Sequence, residues 1–159
     1  MIQPAIRIAE TYVYKMTGSG IRYLLLKRSS KSMYGGLWQG VAGKIDKGET
    51  AWQTAIREVE EETGLVPLMM NVVEYVSSFY EVFGERINLV PNFGAEVDSL
   101  EVTLSHEHEA YKWVTLKEAL GYLTWEAQKS AIKALDNMLQ TGGDKLKWSR
   151  IDLSLIRRK

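Results

Sequence analysis

A crowd of glutamates at one end of an amphipathic segment leaves this chain few ways to fold. Thr50-Ala51-Trp52-Gln53 has the spacing of a capping box, in which the Thr50 hydroxyl and the Gln53 side chain satisfy the first free amides of a helix. Ala51, Trp52, Ala55, Ile56 and Val59 then recur at helical spacing, and Gly64 follows Thr63 as a left-handed stop, so a helix is predicted from this box to about Thr63. At about 100° per residue, Glu58, Glu61 and Glu62 fall within an arc of roughly 100°, whereas Glu60 points away. Three carboxylates thus share one face near the helix C-terminus, where they repel one another and oppose the macrodipole. A cation is needed to offset that cost. Oxygen ligands without Cys or His select a hard ion, so Mg2+ is expected as cofactor, with Mn2+ as a substitute in vitro.

The same segment carries a longer pattern: Gly43, five residues, Glu49, seven residues, then Arg57-Glu58-Val59-Glu60-Glu61-Glu62-Thr63-Gly64-Leu65. At a background of roughly one in fifteen per letter, its seven fixed letters coincide by chance on the order of once in 10^8. The pattern resembles the complete motif of the Nudix hydrolases, G-x5-E-x7-R-E-U-x-E-E-x-G-U with U a bulky aliphatic. The resemblance implies an α/β/α sandwich, an α/β fold with a mixed β-sheet between the motif helix and C-terminal helices. It implies Glu58, Glu61, Glu62 and the carbonyl of Ala42 as metal ligands, and Arg57 as the group that orients a carboxylate, together with Glu49. The catalytic base varies across the family, which leaves Glu61 and Glu107, in His106-Glu107-His108-Glu109, as candidates. A solvated acidic face is the bland alternative for such a run; the flanking glycines and Arg57 in register argue against it.

The remainder of the chain suits such a sandwich. Ile6 to Tyr14 and Ile21 to Leu26, separated by Gly18-Ser19-Gly20, predict a β-hairpin. Leu37 to Gly43 predicts a short glycine-rich strand where backbone approaches a ligand. Met69 to Phe83, Ile87 to Val97 and Ala110 to Val114 predict further strands, with Gly84 and Pro91-Asn92 as interruptions. Lys117 to Leu123 and Trp125 to Leu139 predict helices, the second with an apolar stripe of Ala127, Ala131, Ile132, Leu135 and Leu139 that Gly142-Gly143 stops. Leu146, Trp148, Ile151, Leu153 and Leu155 alternate locally, which leaves an added strand or a subunit contact open, and with it a homodimer.

Function follows from these elements by exclusion and by resemblance. With 159 residues, a single domain with one core is expected. Lys plus Arg total 20 and Asp plus Glu total 20, so no positive field attracts a nucleic-acid backbone, and a small-molecule partner is expected. Cysteine is absent, which excludes thiolate metal sites and a cysteine nucleophile and suits a cytoplasmic location. No apolar run approaches the ~18 residues of a membrane span, so no membrane partner is expected. Lys27 and Arg28 are candidate phosphate contacts, and Tyr34, Trp38, Phe79 and Tyr80 are candidates to stack on a ring.

Trp38-Gln39, Val41-Ala42-Gly43, Glu107-His108 and Ala110-Tyr111-Lys112-Trp113 resemble the branch that hydrolyses dihydroneopterin triphosphate and dATP. That resemblance implies a Mg2+-dependent pyrophosphohydrolase acting on a nucleoside or pterin triphosphate, releasing monophosphate and pyrophosphate. Leu123-Thr124-Trp125-Glu126 is similar to the asymmetric diadenosine tetraphosphate hydrolases, the alternative enzyme. A nucleotide-binding module without catalysis is the alternative of a different class; the intact set of carboxylates argues against it.

Overall fold

The computed structural model describes residues 1–154. Its centre is a hairpin of β2 (Ile8–Thr17) and β3 (Gly20–Arg28), turned at Gly18 and Ser19 and paired from Tyr14↔Tyr23 to Thr17↔Gly20. Beyond Tyr14 the two strands diverge. A glycine-rich segment, expected as one strand, splits into β4 (Trp38–Gln39) on β3 and β5 (Val41–Lys44) on β2. Gly40 lies between them, and a Cβ there would strike the Thr11 carbonyl. The split brings the residues before Gly43 into the middle of the sheet.

On the far side of β2, β7 (Arg86–Glu96) runs parallel to it, flanked by β1 (Gln3–Ala5) and by the long antiparallel β6 (Met69–Glu81). β8 (His108–Val114) closes the other edge, antiparallel to β3. Pro91-Asn92 does not interrupt β7. The pairing jumps from Val72↔Phe93 to Val76↔Pro91, so three residues of β6 face Asn92 alone. Proline lacks an amide donor, and a bulge on the partner strand accommodates that loss. Asn92 Nδ2 fills the bulge by donating to the Tyr75 carbonyl at 3.1 Å and to Ser77 Oγ at 2.9 Å.

Side chains alternate across β2 and so define two cores. Ala9 and Val13 meet Ala55 and Val59 of α1 (Ala51–Thr63) on one face. Tyr12 and Tyr14 meet Ala119 of α2 (Leu116–Tyr122) and Ala131, Ile132, Leu135 and Met138 of α3 (Glu126–Thr141) on the other. Each fully buried Leu, Ile or Val contributes about 1.5–3 kcal/mol. This is the α/β/α sandwich, with a mixed sheet between the motif helix and the C-terminal helices.

The tail departs from its alternating pattern. Gly142 stops α3, but Gly143 opens α4 (Gly143–Ser149), which takes up Leu146 and leaves Trp148 exposed. Of the described tail, β9 (Arg150–Ile151) alone joins the sheet, on β6, and Leu153 packs on the α1 side. Leu155 lies outside the described residues. No described helix is long and apolar enough to cross a membrane.

Candidate active site

The helix α1 is built as its capping residues dictate. Thr50 Oγ1 accepts from the Gln53 amide at 3.2 Å, and the Gln53 side chain accepts from the Thr50 amide at 2.9 Å. Gly64, at φ 72°, donates its amide to the Glu60 carbonyl at 2.9 Å. A residue with a Cβ pays a steric penalty in that conformation. Between these ends, Thr54, Ala55 and Val59 are buried, the last two against β2 and β5, and Glu58 and Glu62, whose directions fall between those of Thr54 and Val59, are carried inward with them.

Arg57 fastens the loop before α1 to the carboxylates. Its Nε and one Nη each donate to Glu49 at 2.9 Å, the forked geometry that suits guanidinium and carboxylate. It also donates to Glu58 at 2.7 Å, to Glu61 at 3.3 Å and to the Lys44 carbonyl at 3.1 Å. The Arg57 hydrogen bonds hold Glu49 down at about 2, so it stays ionised.

Glu58 and Glu62 form a desolvated pair. Their side chains are 13% and 3% exposed, whereas that of Glu61 is 58% exposed and turned to Arg57. Burial, and then the neighbouring Glu58 charge, push the Glu62 carboxyl up to about 9. Burial also raises Glu58, opposed by its hydrogen bond from Arg57. Glu62 Oε2 is buried with no hydrogen-bond partner among the described residues. Against the helix, Gly43 leaves space that Glu58 fills: a Cβ on Gly43 would overlap its carboxyl group.

The loop before β8 completes the cluster. One ligand atom each from Glu62, Glu107 and His108 lies within 4.8 Å of the others. The His108 Nε2 stands 3.1 Å from the Gln39 amide nitrogen. With that amide donating, the ring proton sits on Nδ1, which faces Glu62 Oε2 at 3.9 Å and has no other partner among the described residues. Burial keeps His108 below the usual histidine range, against the pull of the Glu107 charge. Neutral His108 therefore presents a donor to the acid pair, while Glu58, Glu62 and Glu107 supply oxygens of the kind a divalent ion takes. An uncompensated buried acid pair beside a glycine cradle fits such an ion.

Helical spacing alone grouped Glu61 with Glu58 and Glu62. The structure turns it out, because Glu62 lies about 40° from Glu58 around the helix and Glu61 about 60° on the opposite side. Only one of those directions faces Glu107. Ala42 pairs with Glu10 across β5 and β2, at the same end of the sheet as Gly43.

On the α3 face of the sheet, a cavity of about 480 Å³ opens between β6, β7 and the start of α3. Glu10, Tyr34, Phe79, Tyr80, Trp125 and Gln128 are among its walls. Tyr34 and Trp125, both largely exposed, meet edge to face with ring centres 6.1 Å apart. The Tyr80 hydroxyl donates to Glu85. Glu10 is 8% exposed, and burial pushes its carboxyl up to about 7 against the hydrogen bonds from Tyr12 and Gln128.

The other substrate candidates are placed differently. Trp38 meets Tyr122 at a tilt of 59° with ring centres 5.5 Å apart and the Lys112 ammonium over its ring, and packs half-buried against the core rather than lining the cavity. Lys27 is paired with Glu109 at 3.5 Å. Arg28 Nε donates to the Met33 carbonyl at 2.8 Å, tying down the loop that carries Tyr34. Glu10 and Gln128 were not singled out from the sequence, and His108 was read only as part of the loop that carries Glu107. A lone acid among the aliphatic, β-branched and aromatic residues of Ile8-Ala9-Glu10-Thr11-Tyr12 was the available signal for Glu10.

Comparison with known proteins agrees with this architecture. The NUDIX domain model matches residues 7–137. The chain is 32% identical to the mouse bis(5'-nucleosyl)-tetraphosphatase [asymmetrical], over 75% of its own length and 81% of that protein's. It is 36% identical to the Escherichia coli CTP pyrophosphohydrolase, over 64% and 72%. A Myxococcus xanthus octanoyltransferase is 33% identical over 82% of this chain, which spans only 36% of that longer protein. Among solved structures, a MutT protein from Methanosarcina mazei superposes with a TM-score of 0.69 at 27% identity, covering 89% of this chain and 98% of the other.

Proposed function

This chain belongs to the Nudix family, hydrolases acting on pyrophosphate bonds of nucleotides, and from that premise we propose that it is a Mg2+-dependent pyrophosphohydrolase of nucleoside triphosphate-like substrates. The observation that carries the reading is the convergence of buried Glu62 with Glu107 and His108, next to buried Glu58 in the Gly43 cradle. Glu58, Glu62 and the Ala42 carbonyl are the proposed ligands, with Glu61 joining from the exposed side of the helix. The bound ion would supply charge neutralisation on the diphosphate and acidify the attacking water. Two buried carboxylates that repel each other favour its entry, since ligation removes the repulsion.

The protein's own groups do the rest. Arg57 is a positioning residue: it holds Glu49, Glu58 and Glu61 in one hydrogen-bonded set, which fixes the carboxylates before substrate arrives. Exposed Glu107, at the rim of the cluster, is the proposed base and takes the water proton on its carboxylate; Glu61 is the alternative. Water then attacks the α-phosphorus, the bond to the bridging oxygen breaks, and pyrophosphate leaves with a nucleoside monophosphate. The cavity walled by Tyr34, Tyr80 and Trp125 is the proposed seat of the ring, and Lys27 and Arg28 are proposed to approach phosphates from β3. Trp38, packed against the core, is proposed to shape this end of the sheet instead.

A panel of nucleoside and pterin triphosphates, resolved by chromatography with Mg2+ and with chelator, tests the reading. Monophosphate and pyrophosphate are expected, with turnover lost on chelation; orthophosphate as the only inorganic product overturns it. Diadenosine tetraphosphate belongs in the panel as the second reading, which identity to the mouse tetraphosphatase favours. Its signature is ATP plus AMP. No metal-dependent product from any substrate would support a binding module.

A further inference from the structure

We infer that Glu10 and Gln128 read the ring of the substrate, and that they select a ring edge with two adjacent donors, an N–H beside an exocyclic amine, as in guanine or a pterin. The inference rests on the pyrophosphohydrolase reading only for what the ring is attached to.

Glu10 is a buried acid without a cation: no ion pair to it occurs among the described residues, and its hydrogen bonds come from the Tyr12 hydroxyl at 2.9 Å and Gln128 Nε2 at 3.4 Å. Both bonds fall on Oε1. Oε2 receives no donor among the described residues, in the wall of a cavity. Gln128, also in that wall, has a buried Oε1 that likewise lacks a donor among the described residues. Gln128 Oε1 is thus buried and unmet, which is costly unless a donor reaches it, and Glu10 Oε2, in the cavity wall, is left to accept from a ligand.

The other walls suit a flat ring. Trp125, Tyr34, Phe79 and Tyr80 are all exposed at the cavity, and aromatic faces hold a base by stacking without regard to its identity. Selection then falls to the acceptors. Guanine and pterin present an N–H and an amine side by side. Adenine and cytosine place an acceptor nitrogen beside their amine, and uracil flanks its N–H with carbonyls, so each turns a lone pair toward an acceptor of the pocket. A site built from unmet acceptors rejects such edges more strongly than a site built from shape.

The location agrees with this role. Glu10 pairs with Ala42 on one side and Asn92 on the other, so a ring held at Glu10 lies one strand away from the proposed metal ligand.

Titration calorimetry with GMP, AMP, CMP and dihydroneopterin monophosphate, without metal, tests the inference apart from catalysis. Wild-type protein should bind GMP or the pterin at least about tenfold more tightly than AMP and CMP. The GMP and pterin arms compare the two sources of the edge, and tighter binding of either supports it. Glu10→Gln and Gln128→Leu, each checked by circular dichroism, should each shrink that preference about tenfold. Trp125→Ala should weaken all ligands while keeping their ratio. Wild-type binding of AMP or CMP as tight as that of GMP and the pterin overturns the inference, as does an unchanged ratio in folded Gln128→Leu. Loss of turnover on every triphosphate, with the binding preference intact, would sink the hydrolase reading alone.

Discussion

The two faces of the sheet hold opposite kinds of chemistry. On the α1 face, Glu49, Arg57 and Glu58 form a dense, hydrogen-bonded set drawn from one helix and the loop before it, with buried Glu62 beside them on the same helix. On the α3 face, an aromatic cavity gathers Glu10, Tyr34, Phe79 and Trp125 from four separate parts of the chain. The first set is rigid, charged and short in sequence; the second is apolar, half-open and assembled only by the fold. Reaction chemistry needs fixed charges, whereas ring selection needs surfaces that many segments contribute, and the molecule keeps them apart across β2.

Substitutions that strike one face and spare the other are the way to test this separation, and Glu62→Gln has the largest expected effect. It should lower kcat by about 10^3, the loss of roughly 4 kcal/mol of transition-state stabilisation. The same change should stabilise the metal-free protein at pH 8. Folding raises the Glu62 carboxyl from its ordinary 4.5 to about 9, so its contribution to stability is intact below pH 4.5 and is lost as pH climbs from there toward 9. A neutral glutamine escapes that loss, with an expected gain of at least about 1 kcal/mol, or roughly 3 °C in Tm. Calorimetry at pH 5 and pH 8 checks it: the gain should shrink at the lower pH.

Next in size is Gly43→Ala, which places a methyl group where the Glu58 carboxyl lies. About a hundredfold loss of kcat is expected, because small misplacements of catalytic groups cost that much. Steady-state kinetics beside a chevron or melting curve would separate misplacement from unfolding. Arg57→Lys keeps the charge but loses the fork on Glu49, and should cost about tenfold in kcat with a weaker apparent Mg2+ affinity. On the opposite face, Trp125→Ala should raise KM about tenfold with kcat within about twofold, since stacking is worth about 1–3 kcal/mol per base. A fall in kcat as large as that of Gly43→Ala would erase the distinction between the faces.

The same contrast explains what could be read in advance. The motif helix was legible because each signal is local: the Thr50 and Gln53 cap, the apolar stripe, Gly64 and the carboxylates all lie within Gly43 to Leu65. Even there, spacing placed Glu61 with Glu58 and Glu62, and only the position of β8 decides which side of the arc turns inward. Pro91 looked like an interruption because the bulge that accommodates it lies in β6, a strand away. The cavity was the least legible. Tyr34, Trp38, Phe79 and Tyr80 were alike as candidates to stack on a ring, but Trp38 packs against the core beside Tyr122 and Lys112 while the other three line the cavity. Leu146 and Trp148 alternate as in a strand, yet Gly143 starts a helix through them.

The central claim is that Glu58, Glu62 and their neighbours assemble around a divalent ion. Electron paramagnetic resonance of Mn2+ titrated into wild-type protein and Glu62→Gln, at pH 8 with a non-hydrolysable triphosphate, addresses it without requiring turnover. Wild-type protein should take up the ion with saturation near stoichiometry, and the variant should bind at least about tenfold more weakly. Equal uptake by both proteins would contradict the account.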